Sequence, residues 1–410
     1  MKTAWPLLWS RRKKWVIASL ASLCIIALIL EGGNSGGGGG GGAGNNDEDD
    51  DDGYTGDGYA GSLRWPNPES IKGVIPNNAI YVTLDPTLVR RDDGKLFLLT
   101  TRAQHGSTWT ADSLYGPWEY QGDTLDEQGG APSVHRVGNT WAMFHNQHFD
   151  YSTVGVSHPE SSSPFHDASI VVQTSDTLEP KSWVRQGRLN ITWAMKYNVL
   201  DAALLTVNST TAARDGTTGQ RQQQHLLTFG SYQEGLFQVP LANPPFKLAD
   251  NAMSLMTHLE RNTTAVQPRD QTEAAYIFAR KGWYYLFYSS GRCCPEHSPQ
   301  TGQLQWMRYD QAYRVVVCRS RRPGGGYVDR EGRDCLTENG GTVVLASHDE
   351  IFAPGGQGVL DDPEAGLILY YHYARYDMAR DKVDDTRKGF LFGWNKLRFD
   401  RDEWPYIDGA

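Results

Sequence analysis

Residues 271–290 read QTEAAYIFARKGWYYLFYSS. A carboxylate, Glu273, heads an apolar run; Lys281 and Gly282 mark a turn; a denser aromatic run then ends on Ser289 and Ser290. Two short β-branched and aromatic runs joined by a Gly-containing turn describe a β-hairpin. The layout recurs in DPTLVRRDDGKLFLLTT (residues 85–101) and APSVHRVGNTWAMFHN (residues 131–146), each with a polar or small residue ahead of the first strand and a Ser, Thr or Asn closing the second. Further short runs follow the same alternation of strand and turn, among them ASIVVQTS, HLLTFGSY, GLFQVPL, YRVVVCRS, GLILYYHY and KGFLFGWNKLRF. After the first thirty residues, no segment sustains a helical period. The fold class is all-β, and a hairpin-plus-edge unit repeated along the chain favours a propeller over a sandwich. Roughly 345 residues divided into five units gives roughly 70 per blade, generous for four strands with decorated loops.

The chain has 410 residues and a formal net charge of −9. Residues 1–14 form a short basic segment ending in Arg11, Arg12, Lys13 and Lys14, and residues 15–30, WVIASLASLCIIALIL, carry no charge. Sixteen apolar residues are slightly short for a membrane span and slightly long for the core of a signal peptide. The basic cluster before the run and the lack of an A-x-A site after it favour a single-pass anchor with the body outside the cell; cleavage of the leader would make the protein secreted. Residues 31–62 are Gly-rich and then acidic, the composition of a disordered, self-repelling linker. The run from Asp47 to Asp52 lacks the spaced Gly and distal Glu of a calcium loop and supplies most of the net charge. The body, residues 63–410, is therefore close to neutral, and nothing argues for nucleic acid as a partner.

Three N-x-[ST] sequons, at Asn190, Asn208 and Asn262, fit passage through the secretory pathway. Outside the leader the cysteines are Cys293, Cys294, Cys318 and Cys335, which permit three pairings in an oxidising compartment and fit no zinc spacing. Cys318 and Cys335 flank a hairpin-like stretch, so a bridge closing it is expected.

Three acids head apolar strands: Asp85 in YVTLDPTLV, Asp201 in YNVLDAALL and Glu273 in QTEAAYI. In a propeller the innermost strand of each blade starts at the central channel, so these carboxyls converge although they are far apart in sequence. Cleaving an acetal needs a protonated acid at the leaving oxygen and an ionised partner to activate water, and neighbouring carboxyls hold a proton on one of their number near neutrality. Taken singly, each acid could equally cap a turn or pair with an Arg.

EAAYIFARKGWYYLFYSSGRCC, YRVVVCRSRRPGGGYVDREGRD, GGTVVLASHDEIFAPGGQGVL and LILYYHY, in that order, resemble the second half of the endo-1,5-α-L-arabinanases of glycoside hydrolase family 43. LDPTLVRRDDGKLFLLTT, STVGVSHPESSSP and FGSYQEGLFQVPL are similar to motifs of the first half, so the resemblance runs from about Asn77 to Phe399. It implies a five-bladed β-propeller that hydrolyses α-1,5-arabinofuranosyl links with inversion, acting as a monomer on arabinan. It further implies Asp85 as general base, Glu273 as general acid and Asp201 as the group that orients Glu273 and tunes its pKa. Four positions depart from the family pattern: Leu84 replaces a His before the base, Ala131-Pro132-Ser133 replaces an Asp-containing motif, Ala202 replaces a Pro, and Gln357 aligns with a channel His that helps hold calcium or a water cluster. No cofactor is required; calcium in the central channel, with Gln357 contacting it through water, is the one metal the resemblance suggests. Tyr232, Ser231 and Trp109, in or beside post-strand loops, are candidates for sugar binding, whereas His348 and His372 read as structural. The same three acids would serve an exo-acting arabinofuranosidase or β-xylosidase, and a glycan-binding propeller with weakened turnover is the reading from a different class.

Overall fold

The structure, a computed structural model, describes residues 65–72, 83–101, 105–148, 168–191, 199–210, 221–231, 234–263, 272–297, 301, 304–380, 382–383 and 389–407. The leader, the acidic linker and Tyr232 lie outside them. Among the described residues no helix is long and apolar enough to cross a membrane.

The body is a five-bladed propeller of antiparallel four-stranded meanders. Blade one contains β1 (Leu84–Arg90), β2 (Leu96–Thr101), β3 (Ser107–Ala111) and β4 (Glu119–Gly122); blade two contains β5 (Gly130–Val137), β6 (Thr140–His148), β7 (Ala168–Ser175) and β8 (Val184–Arg188). Blade three contains β9 (Ala203–Thr210), β10 (Arg221–Ser231), β11 (Gly235–Leu241) and β12 (Thr257–Glu260). Blade four is β13 (Thr272–Arg280), β14 (Trp283–Ser290), β17 (Arg314–Ser320) and β18 (Thr342–Leu345), with a small ribbon of β15 (Glu296–His297) and β16 (Leu304–Gln305) inserted in it. Blade five is β19 (Ile351–Asp362), β20 (Gly366–Asp377), β22 (Leu391–Phe399) and β23 (Pro405–Ile407), with β21 (Lys382–Val383) attached to β20.

Each blade is covered on both faces by its neighbours, so its middle strands are apolar without alternation: every residue of β2, LFLLTT, is buried, whereas the outermost β4 is mostly exposed. One apolar cluster fills each junction. Phe97, Leu99, Val134 and Met143 join blades one and two; Phe144, Val172, Leu227 and Val239 join two and three; Leu236, Ile277, Leu286 and Val316 join three and four. Phe287, Val317, Leu369 and Leu397 join four and five, and Leu98, Trp109, Tyr370 and Trp394 join five to one. Burying a side chain of this size stabilises by roughly 1.5–3 kcal/mol relative to exposure.

Among the described residues the ring is closed without exchanging strands. Residues 65–72 run as a strap from blade five to blade one: Glu69 N donates to Trp394 O, Asn395 Nδ2 to Asn67 O, Lys72 N to Tyr115 O and Trp118 N to Lys72 O, all within 2.8–3.0 Å. In the fourth blade Cys318 is bonded to Cys335, as expected for the hairpin-like stretch, and Cys293 to its neighbour Cys294.

Candidate active site

All five blades begin with one local device. A residue with positive φ stands at the channel end of the innermost strand: Asp85 (51°), Ala131 (44°), Asp201 (52°), Ala274 (56°) and Ala353 (52°). In blades one, two, four and five the inner strand skips register there, between Leu84 and Thr87, Gly130 and Ser133, Glu273 and Tyr276, and Phe352 and Gly355. A bulge of this kind re-aims side chains away from the sheet face. It also leaves one residue free of ladder duty, which is why Pro86, Pro132 and Pro354 are tolerated inside central strands. Left-handed backbone costs a non-Gly residue on the order of 1–2 kcal/mol, so it persists only where surrounding groups hold it.

The blade starts bring the three predicted acids near one another. Asp85 and Asp201 occupy the left-handed position of blades one and three and line the pocket, whereas Glu273 stands one residue ahead of it in blade four, close enough for the charges of both aspartates to act on it but not itself among the pocket-lining residues. The pocket between the blade starts is lined by Asp85, Thr87, Ser133, Asp201, Tyr276, Tyr370 and Gln357. The carboxyls are half-buried, Asp85 keeping 23% of its side chain exposed toward the pocket mouth.

Hydrogen-bond donors are distributed unequally among them. The Thr101 hydroxyl donates to Asp85 Oδ2 at 2.9 Å. Asp201 Oδ1 accepts from Asn146 Nδ2 at 2.9 Å, and its carboxylate also accepts the Ala274 N–H. Glu273 receives no donor among the described residues and faces the charges of both aspartates. Burial and the Asp201 charge push Asp85 up to about 8 against the pull of Thr101; burial pushes Asp201 up to about 6 against the pull of Asn146 and the Ala274 N–H. Burial, then Asp201, then Asp85 push Glu273 well above the usual carboxylate range. The three titrate as one set, and the last proton the set retains sits on the carboxyl without a donor, Glu273.

Gln357 is used by the protein itself. Its Oε1 accepts from Ser289 Oγ at 2.9 Å and its Nε2 donates to Ala274 O at 2.7 Å, which fixes the peptide next to Glu273. Among the described residues no group of three or more His, Cys, Asp or Glu side chains is arranged to hold a metal ion. Leu84, in the position where the family has a His, is buried with Tyr313 and Phe352. An imidazole is nevertheless present beside Asp85: His372 of β20, read from sequence as structural, places Nδ1 3.1 Å from the Asp85 amide nitrogen.

The expected sugar-binding residues are placed differently. Trp109, 1% exposed, lies in the junction between blades five and one, with its indole N–H on Ser107 Oγ and its ring 5.0 Å from that of Tyr120. A ring so enclosed offers no face to a sugar. Ser231 ends β10, pairing with Gly235 at the tight hairpin, and Tyr232 is outside the described residues. The aromatic side chains that line the pocket are Tyr276 and Tyr370, the first visible in sequence only as one more tyrosine of an apolar strand.

Three neighbouring carboxyls at the blade starts, all raised and with the proton retained longest on the one without a donor, are equipment for acetal hydrolysis. Residues 109–405 match the family described as glycosyl hydrolases family 43.

The chain belongs to glycosyl hydrolase family 43.

Its relatives in the family include arabinan endo-1,5-alpha-L-arabinosidase C of Emericella nidulans, 36% identical over 79% of this chain and 91% of the relative. Arabinan endo-1,5-alpha-L-arabinosidase A of Aspergillus aculeatus is 33% identical over 79% of this chain and 90% of the relative. Among solved structures, the fold is shared with an exo-1,5-alpha-L-arabinanase from a bovine ruminal metagenomic library (TM-score 0.59, 20% identity, 83% of this chain and 99% of that one). It is shared also with the Cellvibrio cellulosa alpha-L-arabinanase (TM-score 0.58, 19% identity, 80% and 96%).

Proposed function

We propose that this family 43 hydrolase cleaves internal α-1,5-arabinofuranosidic links of arabinan with inversion. The observation that carries the mechanism is the unequal donor pattern: among the described residues Asp85 and Asp201 accept hydrogen bonds, and Glu273 accepts none. The substrate is carried by relatives at 33–36% identity over most of both chains, which are arabinan endo-1,5-alpha-L-arabinosidases.

In the reaction, Glu273 gives its proton to the glycosidic oxygen as the bond to the anomeric carbon breaks. Asp85, ionised, takes a proton from a water that attacks the opposite face of the same carbon, which requires the two carboxyls about 6.5–9.5 Å apart. Asp201 touches neither event: it accepts the N–H of Ala274, the residue after Glu273, and its charge keeps the acid protonated until transfer. After the step Glu273 is anionic and Asp85 carries the proton taken from water; loss of that proton from Asp85 and repulsion of the Glu273 carboxylate by Asp201 favour reprotonation of Glu273, which resets the site. No step uses a metal, and a chelator is expected to leave the rate of the purified enzyme unchanged.

The enzyme works outside the cell as a monomer. Supporting this reading are the two disulfides and the exposed side chains of the sequon residues Asn190 and Asn208. Residues 15–30 anchor it to the membrane through the 31–62 linker, or are removed. The test of substrate and mode is the product pattern of residues 63–410 on debranched linear arabinan. A rapid fall in viscosity with a ladder of short oligosaccharides is expected. Release of monomer alone would assign exo action, and no release would leave a glycan-binding propeller.

A further inference from the structure

The left-handed residue at each blade start has its N–H taken by a side chain. Ala131 N donates to Thr101 Oγ1 (2.6 Å), Asp201 N to Asn146 Oδ1 (2.9 Å), Ala274 N to the Asp201 carboxylate and Ala353 N to Ser347 Oγ (3.0 Å). Asp85 N donates to His372 Nδ1 (3.1 Å). Thr101, Asn146 and His372 occupy one place in the fold. Each lies on the second strand of its blade, opposite a residue after which the inner strand skips register (Leu84 before Thr87 faces Thr101, Gly130 before Ser133 faces Asn146, Gly355 before Gly358 faces His372), and each reaches forward to the next blade in the ring. For His372, on the last blade, the next one is blade one, so its contact is the polar closure of the propeller, made on the residue assigned as base.

Its surroundings fix the imidazole for that contact. His372 is fully buried between Tyr313, stacked at 6.1 Å, and Phe390, edge-on at 4.7 Å. Gly356 lies against it: a Cβ there would stand 2.6 Å from Nδ1, so a side chain at 356 would displace the ring. Burial lowers the imidazole to about 3, so Nδ1 keeps its lone pair and the ring proton is on Nε2.

We propose that His372 is the positioning residue of the general base: by accepting the Asp85 N–H it holds Asp85 in the left-handed conformation that aims its carboxylate into the pocket. This rests on the proposed reaction. Without an acceptor at that point the Asp85 peptide relaxes toward extended backbone, and a displacement of the carboxylate by an ångström costs about a hundredfold in rate.

The test compares two replacements that keep different halves of the side chain. In His372→Asn the amide oxygen takes the place of Nδ1 and the ring is lost; in His372→Phe the ring is kept and the acceptor is lost. On linear arabinan, His372→Phe is expected to lose about tenfold to a hundredfold in kcat with KM nearly unchanged, and His372→Asn to recover most of kcat although it melts lower. The reverse order, with Phe near wild type and Asn impaired, would make His372 a packing residue and overturn the proposal. Amide hydrogen exchange at Asp85 decides the point even if arabinan is not the substrate: protection should fall about tenfold in His372→Phe and return in His372→Asn. Protection unchanged in His372→Phe overturns the inference, whereas failure of wild type to cleave arabinan with the exchange pattern as expected overturns only the substrate.

Discussion

Replacing Asp85 by Asn or Glu273 by Gln keeps size and hydrogen-bonding capacity and removes one proton-transfer group, so each variant should lose about a thousandfold or more in kcat on linear arabinan. Neither should melt below wild type: Asp85→Asn removes a charge from a cluster of half-buried carboxyls, and Glu273→Gln replaces a protonated carboxyl by a neutral group of the same shape. The rate should follow a bell in pH. Falling pH protonates the base and rising pH empties the acid, and because all three carboxyls are raised, the acid limb should lie above the ordinary carboxylate range. Thr101→Val removes the one hydrogen bond that pulls Asp85 down, so the acid limb should move to higher pH, which pH–rate profiles of the two proteins would reveal. The three acids were legible because a carboxylate heading an apolar strand is conspicuous and its cost demands a reason. Thr101, Asn146 and His372 were not, since their partners belong to the next blade. Trp109 misled for the opposite reason: an aromatic on a strand covered on both faces looks in sequence like one at a cleft.

Among the elements, the hairpin after β17 carries the bond between Cys318 and Cys335, whose chain separation of 17 residues suggests a contribution of roughly 3 kcal/mol. The Cys318→Ala/Cys335→Ala double variant should unfold at correspondingly lower denaturant concentration, and an unchanged midpoint would show the bond to be passive. Its pairing was readable from two cysteines bracketing a Gly-rich turn, whereas whether Cys293 and Cys294 bond to each other or stay reduced was not, because adjacency alone does not decide oxidation. The blade starts, too, were partly readable. The dipeptides Asp85-Pro86, Ala131-Pro132, Ala274-Ala275 and Ala353-Pro354 lie at the register skips, and in three of the four a proline inside an apolar strand run is the visible mark. That Glu273 precedes the left-handed position while the aspartates occupy it follows from register, which no local pattern specifies.

For the whole molecule, a propeller followed from the recurring hairpin and its five blades from the family resemblance, but the closure did not: the strap of residues 65–72 has no strand pattern and acts through four hydrogen bonds and the packing of Trp65 and Ile71. A chain beginning at residue 73 should therefore melt lower than one beginning at residue 63, by on the order of 5 °C, while keeping its site chemistry. In the proposed reaction the propeller sets carboxyls from three blades around one carbon, with a water between base and acid. That arrangement has a stereochemical signature. The anomer first formed from linear arabinan, followed by proton NMR before mutarotation, should be the β-hemiacetal. Initial appearance of the α-anomer would mean that a carboxylate attacks the sugar directly, and would contradict the assignment of Asp85 as a base acting through water.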